Sequence, residues 1–182
     1  VDGSKAGSTV TLAVNDGSTA DANYDNLSNQ TVAAALTDND TAGFTKSTSS
    51  VTVTEASGGS NTATFTVVLD AQPPTSVVID VTSGTTGQAT VSPSSLTFTT
   101  GNWNSAQTVT VTGVDNSVDG SNAGSTITLA VNDGSSDANY DALSDQTVAA
   151  ALTDDDTAGF TKSTSSVTVT EASGGSNTAT FT

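Results

Sequence analysis

Residues 51–70 read "VTVTEASGGSNTATFTVVLD", and this stretch indicates the fold more directly than any other part of the chain. Two runs rich in valine and threonine flank a cluster of glycine, serine and asparagine. β-Branched residues favour strands, whereas the cluster between the runs is typical of a turn. The stretch therefore predicts two successive strands, A at 51–55 and B at 62–70, joined by a short loop.

The same alternation of valine- and threonine-rich runs with turn residues continues on the C-terminal side of this stretch. It predicts five more strands: C at 76–82, D at 89–99, E at 106–115, F at 125–133 and G at 146–154. No stretch has the 3.6-residue period of an amphipathic helix. Turn signals recur about every 8–12 residues, which is typical of an immunoglobulin-like sandwich. The sequence therefore predicts an all-β, seven-stranded immunoglobulin-like sandwich, without a disulfide because cysteine is absent.

An internal repeat divides the chain. Residues 1–66 return at 118–182 with six substitutions and one deleted residue, and corresponding positions are 117 apart before the deletion and 116 apart after it. A repeat of this length is a whole domain rather than a solenoid turn. The sequence therefore predicts a tandem array in which 1–40 carry strands F and G of one repeat, 41–156 form a complete repeat, and 157–182 carry strands A and B of the next.

The composition is acidic and lacks the residues of most catalytic sites. Nineteen acidic residues stand against three lysines, for a net charge of −16, which repels nucleic-acid phosphates and anionic lipid surfaces. The absence of cysteine and histidine excludes thiolate zinc sites and any nucleophile paired with a histidine base. We therefore expect no enzyme activity. The apolar runs fall far short of the roughly 20 residues that a membrane helix needs, so we expect no membrane insertion in this segment.

Acidic residues stand at the ends of three predicted strands, where the alternation would place an apolar side chain. Glu55 falls on the same side of its strand as Val53, which is expected in the core. Asp115 and Asp154 have the same relation to the apolar residues of strands E and G. Because strands A, E and G run in the same direction in such a sandwich, their last residues should meet at one pole of the domain.

Carboxylates that converge at the edge of an apolar core need a cation among them, or their pKa values rise. A set of oxygen ligands of this size favours calcium over magnesium, which demands a tighter octahedron and keeps its waters. Further candidate ligands at the pole are Asn116, Asp119, Asp155 and Asp156, and the first copy offers the counterparts Asp2, Asp38, Asn39 and Asp40. The alternative interpretation is that these aspartates only end strands and cap turns.

The strings "VTVTEASGG" (51–59), "QTVTVTGVDNS" (107–117) and "LTDDDTAGF" (152–160) resemble the Calx-beta motif, which is found in sodium–calcium exchangers and, repeatedly, in large bacterial surface proteins. The resemblance covers residues 41–156. It implies that calcium ligands stand at Glu55, Asp115, Asn116 and 154–156, with Asp119 an approximate match. In two places the chain departs from the motif. Gln88 stands where the family can supply an acidic ligand, and Asn116 replaces an aspartate, so fewer charges are available for calcium.

Three features outside the pole receive structural interpretations. Trp103 has no companion aromatic residue nearby, so it is expected to anchor a loop over the core rather than to stack on a sugar. Tyr140 is expected to be a buried corner residue ahead of strand G. The loop that holds Asp133, Asp137 and Asn139 is rich in oxygen ligands, but its spacing does not fit an EF-hand, so a second ion there is the less favoured interpretation.

Together these patterns predict a structural repeat. Strand A begins at one end of the domain and strand G ends at the other, so repeats should follow one another end to end with "DDDTAGF" as the joint. Calcium at the joint would tie the outgoing linker to its own domain and stiffen the array. By the resemblance, we expect an extender or fibre region of a large secreted or cell-surface bacterial adhesin or matrix protein. Its partners would be neighbouring repeats of the same chain, with lateral or end-to-end self-association left open. A carbohydrate- or protein-binding module is the alternative.

Overall fold

The structure, a computed structural model, describes residues 7–15, 22–55, 61–120, 123–171, 173–174 and 178–182. Over these ranges the chain is all-β, apart from a four-residue helix and one 3-10 turn, Asp133–Ser135. In chain order the elements are β1 (Ser8–Leu12), α1 (Ala22–Asp25), β2 (Gln30–Ala34), β3 (Phe44–Lys46), β4 (Ser50–Thr54), β5 (Thr62–Leu69), β6 (Val77–Ser83), β7 (Ala89–Ser92), β8 (Ser95–Phe98), β9 (Gln107–Gly113), β10 (Ser125–Val131) and β11 (Gln146–Thr153).

Strands β3 to β11 form two sheets around one core, and we call this part the two-sheet body. The five-stranded sheet has the order β4-β11-β10-β6-β8, and the four-stranded sheet has the order β3-β5-β9-β7. Neighbouring strands are antiparallel, except that β4 and β11 are parallel. Side chains from both sheets, such as Val67 and Ile127, belong to a single buried cluster. The arrangement is consistent with a β-sandwich.

The alternation of the sequence explains which face of each strand is buried. On β5 the side chains of Phe65, Val67 and Leu69 lie in the core, while Thr64 on the same strand is exposed to solvent. Strands β9, β10 and β11 show the same two-residue period. Because successive side chains point to opposite faces of a strand, each strand contributes every second residue to the core.

The structure has two strands in the region where the sequence predicts only strand A. Residues 50–54 form β4, close to the predicted range, but Phe44–Lys46 form a separate strand, β3, that the sequence analysis missed. β3 pairs with β5 in one sheet, and β4 pairs with β11 in the other. The chain therefore changes sheets between Lys46 and Ser50. A three-residue strand gives too short a pattern to be recognised from alternation alone.

The prediction of one continuous strand D at 89–99 is wrong. The structure has β7 at Ala89–Ser92, paired with β9, and β8 at Ser95–Phe98, paired with β6 in the other sheet. Pro93 lies at the break, and proline has no N–H group to donate to a strand ladder. Pairing therefore stops at this residue, and the chain crosses to the second sheet.

At one end of the two-sheet body the carboxyl ends of β4, β9 and β11 meet. Thr54 and Thr153 are paired across the parallel strands, and the Glu55 N–H donates to the Thr153 carbonyl at 3.0 Å. Gly113, the last residue of β9, lies so close that a Cβ atom there would overlap the Thr54 carbonyl oxygen. We call this end the acidic pole, because Glu55 and Asp154 follow β4 and β11 directly.

Two buried side chains with polar groups, Tyr140 and Asp137, stabilise the opposite end of the two-sheet body. Tyr140 is fully buried and its hydroxyl donates to the Ala71 carbonyl at 2.6 Å, which confirms the predicted corner residue. The buried Asp137 accepts hydrogen bonds from the backbone and hydroxyl of Thr75 and from the backbone and amide of Asn139. Both oxygens of Asp137 are thus satisfied by protein donors, so this carboxylate joins two loops.

Candidate metal centre

Three carboxylates meet at the acidic pole. Each of Glu55, Asp154 and Asp156 offers an oxygen, and these three oxygens lie within 4.8 Å of one another. Glu55 is 0% exposed, whereas Asp154 and Asp156 are half-buried. Unscreened carboxylates at this separation repel one another strongly. The group is the one place in the described part of the chain where three acidic side chains converge in this way.

Glu55 reaches the pole because β4 keeps its alternation to the end. Val53 is buried, so the side chain two residues later points into the same interior. The side-chain amide of Asn116 donates to Glu55 Oε2 at 2.5 Å, and Asn116 Oδ1 accepts from the Val118 N–H at 2.8 Å. Asn116 therefore presents its nitrogen, rather than its oxygen, to the carboxylate of Glu55.

Asp154 and Asp156 are placed by a tight turn after β11. Asp154 Oδ1 accepts from the Asp156 N–H at 3.1 Å, which brings the second carboxylate back over the first. Asp154 Oδ2 accepts from the Gly120 N–H at 2.6 Å, so the loop after β9 closes over the site. Asp156 Oδ2 is buried and has no hydrogen-bond partner among the described residues. A buried oxygen of this kind has the chemistry of a cation ligand.

The electrostatics differ between the two aspartates. A hydrogen bond with Glu55, followed by those from the backbone of Gly120 and Asp156, holds the pKa of Asp154 below its ordinary value. Desolvation raises the pKa of Asp156, and the negative charges of its acidic neighbours raise it further. A cation among these oxygens would remove the repulsion that Asp156 experiences.

Three exposed acidic residues lie near the converging carboxylates, but they are not part of that group. Asp115, Asp119 and Asp155 all raise the pKa of Asp156 by their charge, but their own side chains are exposed. The inward direction predicted for Asp115 is wrong, because β9 ends at Gly113 and the alternation does not continue past it. These three residues could still supply charge or outer ligands, and their assignment as ligands remains a prediction.

The first copy shows the same local turn. Asp38 Oδ1 accepts from the Asp40 N–H at 3.1 Å, as in the Asp154–Asp156 turn, and Asn39 between them is exposed. The turn is thus specified by the short sequence itself. Asp2, the remaining candidate ligand of this copy, lies outside the described residues.

The sequence analysis missed one hydrogen-bond donor at the pole, and it singled out one position, Gln88, that lies nearby. The Gly120 N–H that binds Asp154 comes from a loop whose conformation no pattern predicts. Gln88, singled out for replacing an acidic residue, has a buried Oε1 without a hydrogen-bond partner in the described ranges, and its carbonyl accepts from the Val114 N–H. Gln88 therefore lies beside the loop that leads from β9 to Asn116.

A carbohydrate-binding site at Trp103 has less structural support than the metal site. Trp103 is half-buried and packs against the hydrophobic core, as expected of a loop anchor.

No helix in the described part of the chain is long and apolar enough to cross a membrane.

No protein-family model matches the sequence, and no curated protein matches it significantly. Among solved structures, the chain is similar to surface layer protein SbsC, domains 1–6 (TM-score 0.44, 22% identity), over 69% of this chain and 15% of that one. It is also similar to S-layer protein SbsC domains 4 and 5 (TM-score 0.41, 24% identity), over 68% of this chain and 58% of that one. The E. coli chaperone DraB gives a TM-score of 0.44 at 8% identity, over 65% and 58% of the two chains. Similarity at this level does not assign the chain to a family.

Proposed function

We propose that the acidic pole binds calcium, and that the chain belongs to a tandem array of immunoglobulin-like repeats that serves as a structural extender at the bacterial cell surface. The observation that carries the proposal is the convergence of Glu55, Asp154 and Asp156 within 4.8 Å at the point where the chain leaves the two-sheet body. The rest of the site is rich in oxygen and poor in positive charge, which suits a hard divalent cation.

Calcium fits this donor set better than other common ions. All three side chains are carboxylates, and with no cysteine or histidine in the chain there are no soft ligands for zinc or copper. Calcium accepts six to eight oxygens in a flexible geometry, so exposed Asp119 and Asp155 or water could complete the shell. Magnesium requires near-ideal octahedral geometry, for which a turn and two loops are a poor scaffold.

The proposed mechanical effect of calcium depends on the two segments that the ion would connect. Glu55 follows β4, whereas Asp154 and Asp156 belong to the segment that continues toward the next copy of the sequence. An ion bound to all three would couple this outgoing segment to the body. Without the ion, repulsion among the carboxylates favours a looser exit. Calcium would therefore limit the angles between successive repeats and stiffen an array.

The proposed setting is extracellular. Calcium sites of extracellular modules typically have dissociation constants of about 10⁻⁴–10⁻³ M, so millimolar calcium fills about half or more of them and cytosolic calcium leaves them empty. A cysteine-free, strongly acidic chain is compatible with export in an unfolded state and folding outside the cell. An adhesin, a matrix protein and a surface layer would all use such an extender. The alternative of a carbohydrate-binding module is less favoured because Trp103 packs on the core.

Thermal unfolding in chelator and in increasing calcium tests the proposal. At a calcium concentration ten times the dissociation constant the stabilisation should be about 1.4 kcal/mol, which raises the Tm of a domain of this size by roughly 5–10 °C. Glu55→Gln should abolish most of this shift. Glu171→Gln is a matched control, because Glu171 is the exposed counterpart of Glu55 in the last copy. An equal Tm with and without calcium in the parent protein would contradict the proposal.

A further inference from the structure

The loop between β9 and β10 binds two of the three carboxylates of the acidic pole. We call residues 114–120 of this loop the pole segment. The Asn116 side-chain amide donates to Glu55 Oε2 at 2.5 Å, and the Gly120 N–H donates to Asp154 Oδ2 at 2.6 Å. Glu55 follows β4 and Asp154 follows β11, so one segment holds the side chains that come directly after two different strands.

The orientation of the Asn116 amide is determined at both ends. Its Oδ1 accepts from the Val118 N–H at 2.8 Å, so Nδ2 is the atom that faces Glu55. Turning the amide over would set Oδ1 against the Glu55 carboxylate and Nδ2 against the Val118 N–H, and both hydrogen bonds would be lost. A ligand role requires Oδ1 to face the ion, so this orientation is unfavourable for it.

The pole segment is anchored where it begins. The Val114 N–H donates to the Gln88 carbonyl at 2.9 Å, and Gly113 before it lies against the Thr54 carbonyl. Asn116 is only two residues beyond this anchor and is half-buried. Main-chain contacts therefore set its position relative to Glu55, and a donor that is held in place loses little conformational freedom when it binds a carboxylate.

We propose that Asn116 and Gly120 are positioning residues of the calcium site: their N–H groups hold Glu55 and Asp154 in the orientation that binds the ion, and neither residue contacts it. This inference rests on the proposed function, because it concerns the ion that the acidic pole is proposed to bind. An ionised carboxylate has about four lone-pair sites, so it can accept an N–H group and still offer an oxygen to calcium. Hydrogen bonds from neighbouring groups commonly orient the carboxylate ligands of metal sites.

Asp156 is positioned indirectly. Its N–H donates to Asp154 Oδ1 at 3.1 Å, whereas its buried Oδ2 has no hydrogen-bond partner among the described residues. The place of Asp156 therefore depends on Asp154, which in turn is held by the Gly120 N–H. Through these contacts the pole segment influences all three carboxylates.

Binding of calcium and order in the pole segment should be linked in both directions. If the donors of this segment raise the affinity for calcium, calcium must stabilise their contacts by the same factor. We therefore expect calcium to slow the hydrogen exchange of the Val118 and Gly120 amides, whose acceptors belong to this network. The Val114 amide is an internal reference, because its acceptor is the Gln88 carbonyl.

Calcium titration by calorimetry tests the role of Asn116. Asn116→Ala removes the donor without changing the net charge, and it should weaken calcium binding about 10–100-fold. Asn139→Ala is the matched control, because the Asn139 amide donates to Asp137 Oδ1 at 2.9 Å at the opposite end of the two-sheet body. Both variants lose an amide–carboxylate hydrogen bond and both should have a lower Tm in chelator, but Asn139→Ala should bind calcium within twofold of the parent protein.

Amide exchange followed by NMR separates a positioning residue from a ligand. In saturating calcium the Val118 and Gly120 amides of the parent protein should exchange more slowly than in chelator, with a smaller change at Val114. Faster exchange at Val118 in calcium would mean that the Asn116 amide has turned its oxygen to the ion, which would overturn the positioning role.

The outcomes also separate this inference from the calcium proposal. Calcium binding of equal strength in the parent protein and in Asn116→Ala would support the calcium site and overturn the role of Asn116. Tighter binding in Asn116→Ala would show that the amide competes with the ion, which also overturns it. A parent protein that gives no calcium heat and no change in Tm would contradict the calcium site and the inference together.

Discussion

The hairpin β1–β2 and the pair β10–β11 have nearly the same sequence and the same register, yet only one of them is buried. Val10 pairs with Val32 as Ile127 pairs with Val148, and Leu12 pairs with Gln30 as Leu129 pairs with Gln146. Val10 is 53% exposed and Ile127 is 0% exposed. Antiparallel pairing of adjacent strands is therefore a local property of this sequence. Burial is not, because it depends on the strands β4 and β6 on either side and on the second sheet.

The last copy of the sequence shows that the counterparts of β3 and β4 also depend on partner strands. Residues 157–171 repeat the sequence of β3 and β4 but form no strand, since the partners of β3 and β4 in the two-sheet body are β5 and β11. The hydrogen bonds between Ser163 and Thr182 survive: the Ser163 N–H donates to the Thr182 carbonyl and the Thr182 N–H donates to the Ser163 hydroxyl, as between Ser47 and Thr66 in the body. Both strands need partners that are distant in sequence, and without those partners the same residues remain exposed.

The strongest test of the comparison truncates the same side chain position in both copies. Ile127→Ala should lower the free energy of unfolding of the two-sheet body by about 2–5 kcal/mol, because it leaves a cavity in a closed core. Val10→Ala should change it by less than about 0.5 kcal/mol, since this side chain is already half in solvent. Urea unfolding followed by the fluorescence of Trp103 measures both. Similar losses for the two variants would mean that the hairpin is packed in solution.

A pair of tyrosines tests the corner in the same way. Tyr140→Phe leaves the Ala71 carbonyl without its donor and should cost about 1–3 kcal/mol of unfolding free energy. Tyr24→Phe, the counterpart in the hairpin, should be neutral because Tyr24 is 55% exposed. The same urea titrations give both values. A neutral Tyr140→Phe would show that water replaces the lost donor and that the corner is not closed.

The two turns differ at their middle residue, which allows a finer test of the calcium proposal. Asp155→Asn converts the second turn to the sequence of the first, and it should weaken calcium binding only a few-fold because Asp155 is exposed. Asn39→Asp should leave binding unchanged in a dilute, monomeric sample, since no glutamate accompanies Asp38 and Asp40 there. Isothermal titration calorimetry measures both affinities. A complete loss of binding in Asp155→Asn would mean that Asp155 is itself a ligand.

The smallest effect concerns pH in the absence of calcium. The pKa of Asp156 is raised from its ordinary 3.8, so its contribution favours folding below that value and is lost as pH rises through the raised pKa. The pKa of Asp154 is lowered, so its contribution is present above 3.8 and is lost as pH falls through the lowered pKa. In chelator, Asp156→Asn should therefore remove a decrease in stability just above pH 3.8. Denaturant unfolding at several pH values measures this difference, and parallel pH profiles for the parent protein and Asp156→Asn would contradict it.

Alternation along single strands was enough to predict much of the fold and part of the site. Glu55 was predicted to point inward because Val53 does, and the structure buries it completely. Asp154 follows the same rule at the end of β11, where it is half-buried. The inference worked because β4 and β11 are paired up to their last residues, so the period of two reaches the acidic pole.

The exposure of Asp115 and the division of predicted strand D depend on tertiary contacts, which the alternation does not report. Asp115 is exposed because β9 ends two residues earlier, against the Thr54 carbonyl at Gly113. Pro93 divides the predicted strand D between two sheets, because a residue without an N–H ends one ladder before the next begins. The local sequence was enough to specify which residues could form strands, hairpins and the Asp154–Asp156 turn, since these depend on neighbours in the chain. Which copy of each is buried could not be predicted in this way, because burial requires strands that are distant in sequence.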